Sequence, residues 1–173
     1  MMNLRTVVAL VALALARPSL AALAVPASVE DLARTSDAVV RGRVASVSSR
    51  LSNDGRRILT YVEVEASSTW QGAVPQRITV VVPGGVVGNI GQRVEGSPAF
   101  SQDEQVVLFL SKLGSTFRVR GLAQGKFSVV SGQAQPDLSG LVFAPGRGMR
   151  RASERRVETM AVDELERRVR SAR

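Results

Sequence analysis

Apolar residues recur at every second position through the middle of the chain, and that period places its strands. From Ala38 to Val47, the positions Val40, Gly42, Val44 and Ser46 alternate with Val39, Arg41, Arg43, Ala45 and Val47. Both sides are apolar at the start, which predicts a central strand rather than an edge. After a connection from Ser48 to Arg57, Ile58, Thr60, Val62, Val64 and Ala66 share one face while Leu59, Tyr61, Glu63 and Glu65 take the other. This is a strand with one dry and one wet side. Asn53-Asp54-Gly55 lies between the two runs, and glycine there supplies the positive φ that a hairpin connection needs. Slipping the second strand by one residue would bury Glu63 and Glu65, so a single register is expected. The stretch from Asp37 to Trp70-Gln71-Gly72 is thus the organising hairpin.

The same period continues downstream. Arg77 to Val82 predicts a third strand with Ile78, Val80 and Val82 on one face, ended by Pro83. Gln105 to Ser111 contains Val-Val-Leu-Phe-Leu and predicts a buried central strand. Thr116 to Arg120 turns Phe117 and Val119 inward, and Lys126 to Val130 does the same with Phe127 and Val129. From Ser131 to Gly148 a loop is expected, in which only Leu141-Val142-Phe143 offers another strand. Five or six short strands separated by turn signals imply a mainly β fold, a small barrel or sandwich, and closure removes exposed edges.

Two segments follow the helical period instead. Ser28-Val29-Glu30-Asp31 resembles a capping box and opens a short helix over Val29–Thr35. Near the end, Val162, Leu165 and Val169 lie three and four residues apart, predicting an amphipathic helix from Val162 to Arg170 that packs on the sheet. Glu164–Arg168 and Glu166–Arg170 have the favourable i,i+4 order.

The amino terminus changes the compartment. Met1 to Arg5 is a short basic start, Thr6 to Ala16 is an unbroken Val/Ala/Leu run, and Ala22-Leu23-Ala24 is a small-x-small cleavage signal. Together they predict a signal peptide over residues 1–24 and a secreted or periplasmic protein; the run is shorter than the roughly 20 apolar residues of a membrane span. A β-domain over residues 25–146 and a basic linker and helix over residues 147–173 complete the expected organisation. The formal charge of +8 falls to +6 once Arg5 and Arg17 of the leader are set aside, and most of the remainder sits beyond residue 146. Nucleic-acid binding is not read from it.

Composition excludes several chemistries. With no histidine and no cysteine, Ser-His-acid and Cys-His catalysis, disulfides and the usual zinc sites cannot be assembled. Lys112 and Lys126 are outside any Ser-x-x-Lys frame. Glu30-Asp31, Asp103-Glu104 and Asp163-Glu164 fall in a cap, a turn and a helix surface, and Asp54, Asp103 and Asp137 lack the Asp-x-Asp-x-Asp-Gly run of a calcium loop. The run Gly84-Gly85-Val86-Val87-Gly88-Asn89-Ile90-Gly91 lacks the Gly-Lys-Ser/Thr ending of a phosphate loop, so an excursion at a barrel rim is expected. No enzyme, cofactor or metal is expected.

Ser36-Asp37-Ala38-Val39-Val40-Arg41-Gly42-Arg43-Val44, then Thr60-Tyr61-Val62-Glu63-Val64, Trp70-Gln71-Gly72 and Ile78-Thr79-Val80 resemble the netrin-like module, which includes the inhibitory domain of the tissue inhibitors of metalloproteinases. Gly84-Gly85, Gly96-Ser97-Pro98-Ala99-Phe100 and Val107-Leu108-Phe109-Leu110 are similar to a group of exported bacterial domains. The resemblance spans residues 36–130, with Gln102-Asp103 where the bacterial pattern has Gly-Glu, and implies a small five- to six-stranded OB-like barrel. The animal inhibitors chelate the protease zinc through an N-terminal cysteine; here the mature start would be Val25-Pro26. The expected function is that of an exported, monomeric, non-enzymatic binding module for a protein or envelope partner, a secreted metalloprotease among the candidates. Candidate contact residues are Val25, Trp70, Gly84, Gly85, Asn89 and Phe100. The alternative is an OB-fold protein that binds an oligonucleotide or anionic glycan, with Trp70, Tyr61 and Phe100 as the aromatics it could spare.

Overall fold

The computed structural model describes residues 22–138, 140–143 and 157–172. All but the last three residues of the expected signal peptide, and most of the expected basic linker, lie outside the described residues. What is described is mainly β: one large mixed sheet, two smaller two-stranded sheets and two helices.

Helix α1 (Val29–Thr35) forms over its predicted range because its first turn is capped reciprocally. The Asp31 N–H donates to Ser28 Oγ at 3.1 Å, and the Ser28 N–H donates to Asp31 Oδ2 at 3.3 Å. Strands β2 (Ala38–Leu51) and β3 (Ile58–Gln71) then pair antiparallel along their whole length. Ser52 to Arg57 connects them, with Gly55 at φ 67° as the Asp-Gly signal requires. Strand β4 (Arg77–Pro83) pairs with β3, and β7 (Gln105–Leu113) lies on the other side of β2, as a doubly apolar strand should. Strand β8 (Thr116–Val119) pairs antiparallel with β7 and meets β4 in parallel at Val80–Phe117. Strands β9 (Lys126–Val130), β10 (Gln133–Pro136) and β12 (Met160–Ala161) extend the sheet beyond β7.

Three irregularities in the β2–β3 ladder set its curvature. Trp70 and Ser67 are extra residues on β3, and Ala45 is an extra residue on β2. Each such bulge bends its strand and reverses the phase of alternation. The Ala45 bulge corrects one sequence expectation: Val47, placed opposite Val40 and Val44 by strict alternation, pairs with Val62 and turns to the same side as Val44.

Both sheet faces are covered. Val40, Val44, Val62, Val64, Ile78, Val80, Val106, Leu108, Leu110 and Phe117 fill the space inside the curl of the sheet. On the outer side, Val39, Trp70, Val107, Phe109 and Phe127 meet Leu32 of α1 and Leu165 and Val169 of α2 (Val162–Ser171). The C-terminal helix therefore packs on the sheet and shares its core with the β-domain. At about 1.5–3 kcal/mol for each large apolar side chain removed from water, these two clusters dominate the stabilising terms.

The sequence also undercounts strands: twelve are described, where its turn signals predict five or six. The predicted rim excursion contains a hairpin, β5 (Gly85–Val87) with β6 (Ile90–Gln92), turned by Gly88-Asn89. The loop expected after Ser131 contains β10, paired with β9, as well as β11 (Leu141–Phe143), the one strand predicted for it, which pairs in parallel with β1 (Ala22–Ala24). These elements are two to four residues long, too short to show a period. One charge pairing also differs. Glu166–Arg170 forms at 2.7 Å, but Arg168 turns from Glu164 to Glu30 of α1, bonding it at 2.7 and 2.9 Å, while Glu164 takes Arg167. Packing of α2 beside α1 brings Glu30 within reach, and a bidentate fork outcompetes an i,i+4 pair. No helix among the described residues is long and apolar enough to cross a membrane.

Candidate ligand groove

Where β4 ends, Gly84 and Gly85 turn the chain at φ 95° and 134° and lay the β5–β6 hairpin across the inner side of the β2–β3 arm. A Cβ on Gly85 would stand 2.3 Å from Ser49 Oγ and 2.4 Å from Thr60 Oγ1, so only glycine permits the approach. Beneath it the two hydroxyls bond each other at 2.8 Å, and Thr60 Oγ1 donates to the Gly84 carbonyl at 2.6 Å. The far end of the hairpin is pinned too: the Ile58 N–H donates to Gln92 Oε1 at 2.6 Å.

After β6 the chain returns as a second wall. Ser97 Oγ donates to the Pro83 carbonyl at 2.8 Å, and the Ala123 N–H donates to the Gly96 carbonyl at 3.0 Å. Between the walls lies an open groove of about 550 Å³. Val47, Val82, Val86 and Phe100 give it apolar surface, and Arg93, Glu95 and Asp137 stand on its lining. Arg93 Nε and Glu95 Oε1 pair at 2.8 Å. The groove thus offers shape, backbone, apolar area and a few charged groups.

Behind Phe100 is a buried polar cluster. With Phe127 and Val129 facing in, alternation predicts that Lys126 faces away from the core, yet it is 5 % exposed. Its strand is covered on both sides, so alternation puts Phe127 under α2 and Lys126 inside the curl. There its Nζ bonds Glu104 Oε1 at 2.5 Å and Ser128 Oγ at 3.1 Å, 5.1 Å from the Phe100 ring centre. Ser128 accepts from Lys126 and donates to Glu104, which closes a three-membered hydrogen-bonded cluster. Glu104 also ties the loop before β7 to β2: its carbonyl accepts from the Val44 N–H, and the Asp103 N–H donates to the Val44 carbonyl, each at 2.9 Å. The cluster holds the groove's back wall.

Of the candidate contact residues, the structure brings Gly84, Gly85 and Phe100 to the groove. Asn89 sits exposed in the hairpin turn, outside the lining. Trp70 is a correction: at 1 % exposure it is a core residue under the helices and presents no surface to a partner. Its position as a bulged residue turns the indole to that side. Val25 is 77 % exposed, and its neighbourhood is tethered by the buried Gln124, which donates from Nε2 to the Val25 carbonyl at 3.1 Å and accepts from the Ala27 N–H at 3.0 Å. Sequence reasoning missed Val47, Ser49 and Lys126. Thr60 carried a readable signal, a hydroxyl on an otherwise aliphatic face.

The outer face of the sheet is a different surface. Arg43 bonds Asp103 at 2.5 Å and Glu65 at 3.4 Å, and Arg77 bonds Glu65 at 2.7 Å. Arg77 foremost, then Arg43, holds the Glu65 carboxyl below its ordinary range. In the β2–β3 turn, hydrogen bonds from Ser52 and then the Arg56 N–H do the same for Asp54. Among the described residues no three metal-ligating side chains cluster. No protein-family model matches the chain, and neither does any curated protein.

Proposed function

We propose that this chain is an exported, non-enzymatic binding module built on a five-stranded OB-type barrel of the netrin-like kind, and that its groove receives a protein partner of the envelope or exported fraction. The barrel rests on the circuit of pairings from β2 through β3, β4, β8 and β7 back to β2, with one parallel contact between β4 and β8. A Greek-key barrel of five strands needs such a circuit.

The groove carries the functional reading. Its walls are fixed by hydrogen bonds and its lining mixes apolar side chains with backbone, hydroxyl and charged groups, which is how a preformed recognition site is composed. A secreted metalloprotease fits as partner through side-chain contact, because the Val25 carbonyl already accepts from Gln124. Nucleic acid and anionic glycan are disfavoured on the outer face of the sheet, where Arg43 and Arg77 are committed to Glu65 and Asp103.

A photo-crosslinking residue placed at Val86, which is 66 % exposed at the groove rim, tests this in intact cells. One defined protein adduct is expected, absent when the same residue is placed at Ser67 on the opposite side of the sheet. Adducts to nucleic acid or glycan, or no adduct at all, would replace this function with another, as would turnover of any metabolite by the purified protein.

A further inference from the structure

Past the Ala45 bulge, β2 continues as an arm that β3 covers on one side only. The last contacts on its other side are those of Val44 with Asp103 and Glu104, and β7 pairs no further than Arg43. Which backbone groups this leaves open follows from the ladder. The Ser52 N–H donates to the Arg57 carbonyl at 2.7 Å, so Ser52 and Arg57 are a bonded pair. Antiparallel pairing alternates, which turns the N–H and C=O of Arg50, Ser48 and Ser46 towards β3 and those of Leu51, Ser49 and Val47 outwards. The Ile58 groups agree: paired with Leu51, Ile58 bonds away from β2, to Gly84 and Gln92. Among the described residues nothing bonds the outward groups of Val47, Ser49 and Leu51. The Val47 and Leu51 side chains are 37 % and 49 % exposed, and Val47 and Ser49 also line the groove.

We infer that this edge is a docking strand for an extended, acidic polypeptide segment, which pairs with Val47, Ser49 and Leu51 and drops alternate side chains into the groove beside Val47 and Val86. The chemistry selects a backbone, because a row of alternating donors and acceptors at strand spacing is matched by another strand. The sign of the partner comes from Arg50 on the strand, which keeps its charge over the Tyr61 ring, and from Arg56 and Arg57 in its turn, against Asp54 and Asp137; Arg93 and Glu95 at the groove offset each other. A second copy of this chain is disfavoured. An antiparallel pair that uses all six outward groups is centred on Ser49 and sets the two Arg50 side chains diagonally on one face, where like charges repel. The inference rests on the reading of the protein as a polypeptide-binding module and assigns the partner's conformation and charge.

The test titrates the full, exported protein, labelled with nitrogen-15, with a short synthetic peptide alternating glutamate and valine. Hydrogen exchange is expected to slow at the Val47, Ser49 and Leu51 amides and to stay unchanged at Ser48 and Arg50, which already bond β3. N-methylating the peptide amides that face β2 is expected to weaken binding about tenfold or more, since each deletes a hydrogen bond of about 1 kcal/mol. Val47→Pro removes one outward donor and is expected to weaken binding similarly, while Arg50→Glu is expected to shift preference towards a lysine-valine peptide. Binding indifferent to N-methylation, or equal affinity for the lysine peptide in the unmodified protein, would overturn the proposal. So would protection of the same amides that rises with protein concentration in the absence of peptide, which would assign the edge to a second copy. If the peptide fails while the Val86 crosslink still captures a protein, the edge falls and the groove stands. If the peptide binds and no crosslink forms, the edge stands and the groove falls.

Discussion

Changing Glu104 to Gln tests the buried cluster behind the groove more sharply than any surface variant. The substitution keeps the side chain's shape, removes the negative charge and leaves one acceptor oxygen where the carboxylate has two, Oε1 for Lys126 and Ser128 and Oε2 for the Ser101 N–H at 3.1 Å, so the amide NH2 must face one set of donors. Lys126 keeps 6 % of its side chain exposed and Glu104 18 %, so solvent screens the pair little. Deleting one partner of such a pair leaves an uncompensated buried charge, at a cost of about 3–5 kcal/mol. The surviving amide acceptor puts Glu104→Gln near the lower end, about 3 kcal/mol. Lys126→Met acts differently: the carboxylate left behind has the Ser128 hydroxyl, the Ser101 N–H and some solvent, so the loss is nearer about 1–2 kcal/mol. Urea unfolding at neutral pH should show both shifts at unchanged m, and in a domain of this size Glu104→Gln should lower Tm by about 6–12 °C. The double variant should cost at least about 1 kcal/mol less than the two single losses added together. A loss below about 1 kcal/mol for Glu104→Gln, or a larger one for Lys126→Met, would refute the claim that a desolvated ion pair fastens this loop.

Gly85→Val should destabilise by about 1–3 kcal/mol or displace the β5–β6 hairpin, because its Cβ meets Ser49 Oγ and Thr60 Oγ1 at 2.3 and 2.4 Å; thermal unfolding and amide shifts of Val86 to Ile90 check it. Trp70→Ala should cost about 3–5 kcal/mol, and since Trp70 is the only tryptophan and is buried, the native protein's emission should be blue-shifted and resist iodide quenching until it unfolds. The hydrogen bond from Arg168 holds the Glu30 carboxyl below its ordinary 4.5, against a smaller opposing effect of burial. A depressed folded value contributes stability that is fully present above the unfolded value and is lost as pH falls through the folded one. With about a third of each side chain exposed, Glu30→Gln should therefore cost under about 1 kcal/mol at pH 7, and the gap should close as pH drops below about 4.5, as paired unfolding curves across pH 7 to 3 would show.

Alternation legible in Ile58 to Ala66 and Arg77 to Val82 survives into the structure because each strand buries one side and any slip would cost several aliphatic residues. The helix over Val29–Thr35 is legible for a local reason, a serine and an aspartate three residues apart. The short strands are not: β5, β6, β10 and β12 are held by neighbours remote in sequence, and two to four residues carry no period. Gly88-Asn89 between Val87 and Ile90 is the one overlooked signal, since Gly-Asn is a two-residue hairpin turn.

The candidate site lies where the alternating pattern breaks, and this explains why so little of it is legible. An extra residue at Ala45 returns Val47 to the inner side, and the same bulge carries β2 beyond the end of β7, leaving an arm with one bare edge. Two successive glycines after Pro83 then let a hairpin settle on that arm. Lys126 follows alternation faithfully, but a sequence offers no way to know that both sides of its strand are covered until Phe100 and Glu104 are placed against it. Each break costs stability locally, through a lost ladder contact, a glycine or a desolvated charge, and the three converge around one groove and the strand edge beside it. The bulges at Ser67 and Trp70 lie outside the groove and serve the curvature of the sheet instead, so a break in the pattern marks the site only where a glycine or a buried charge accompanies it.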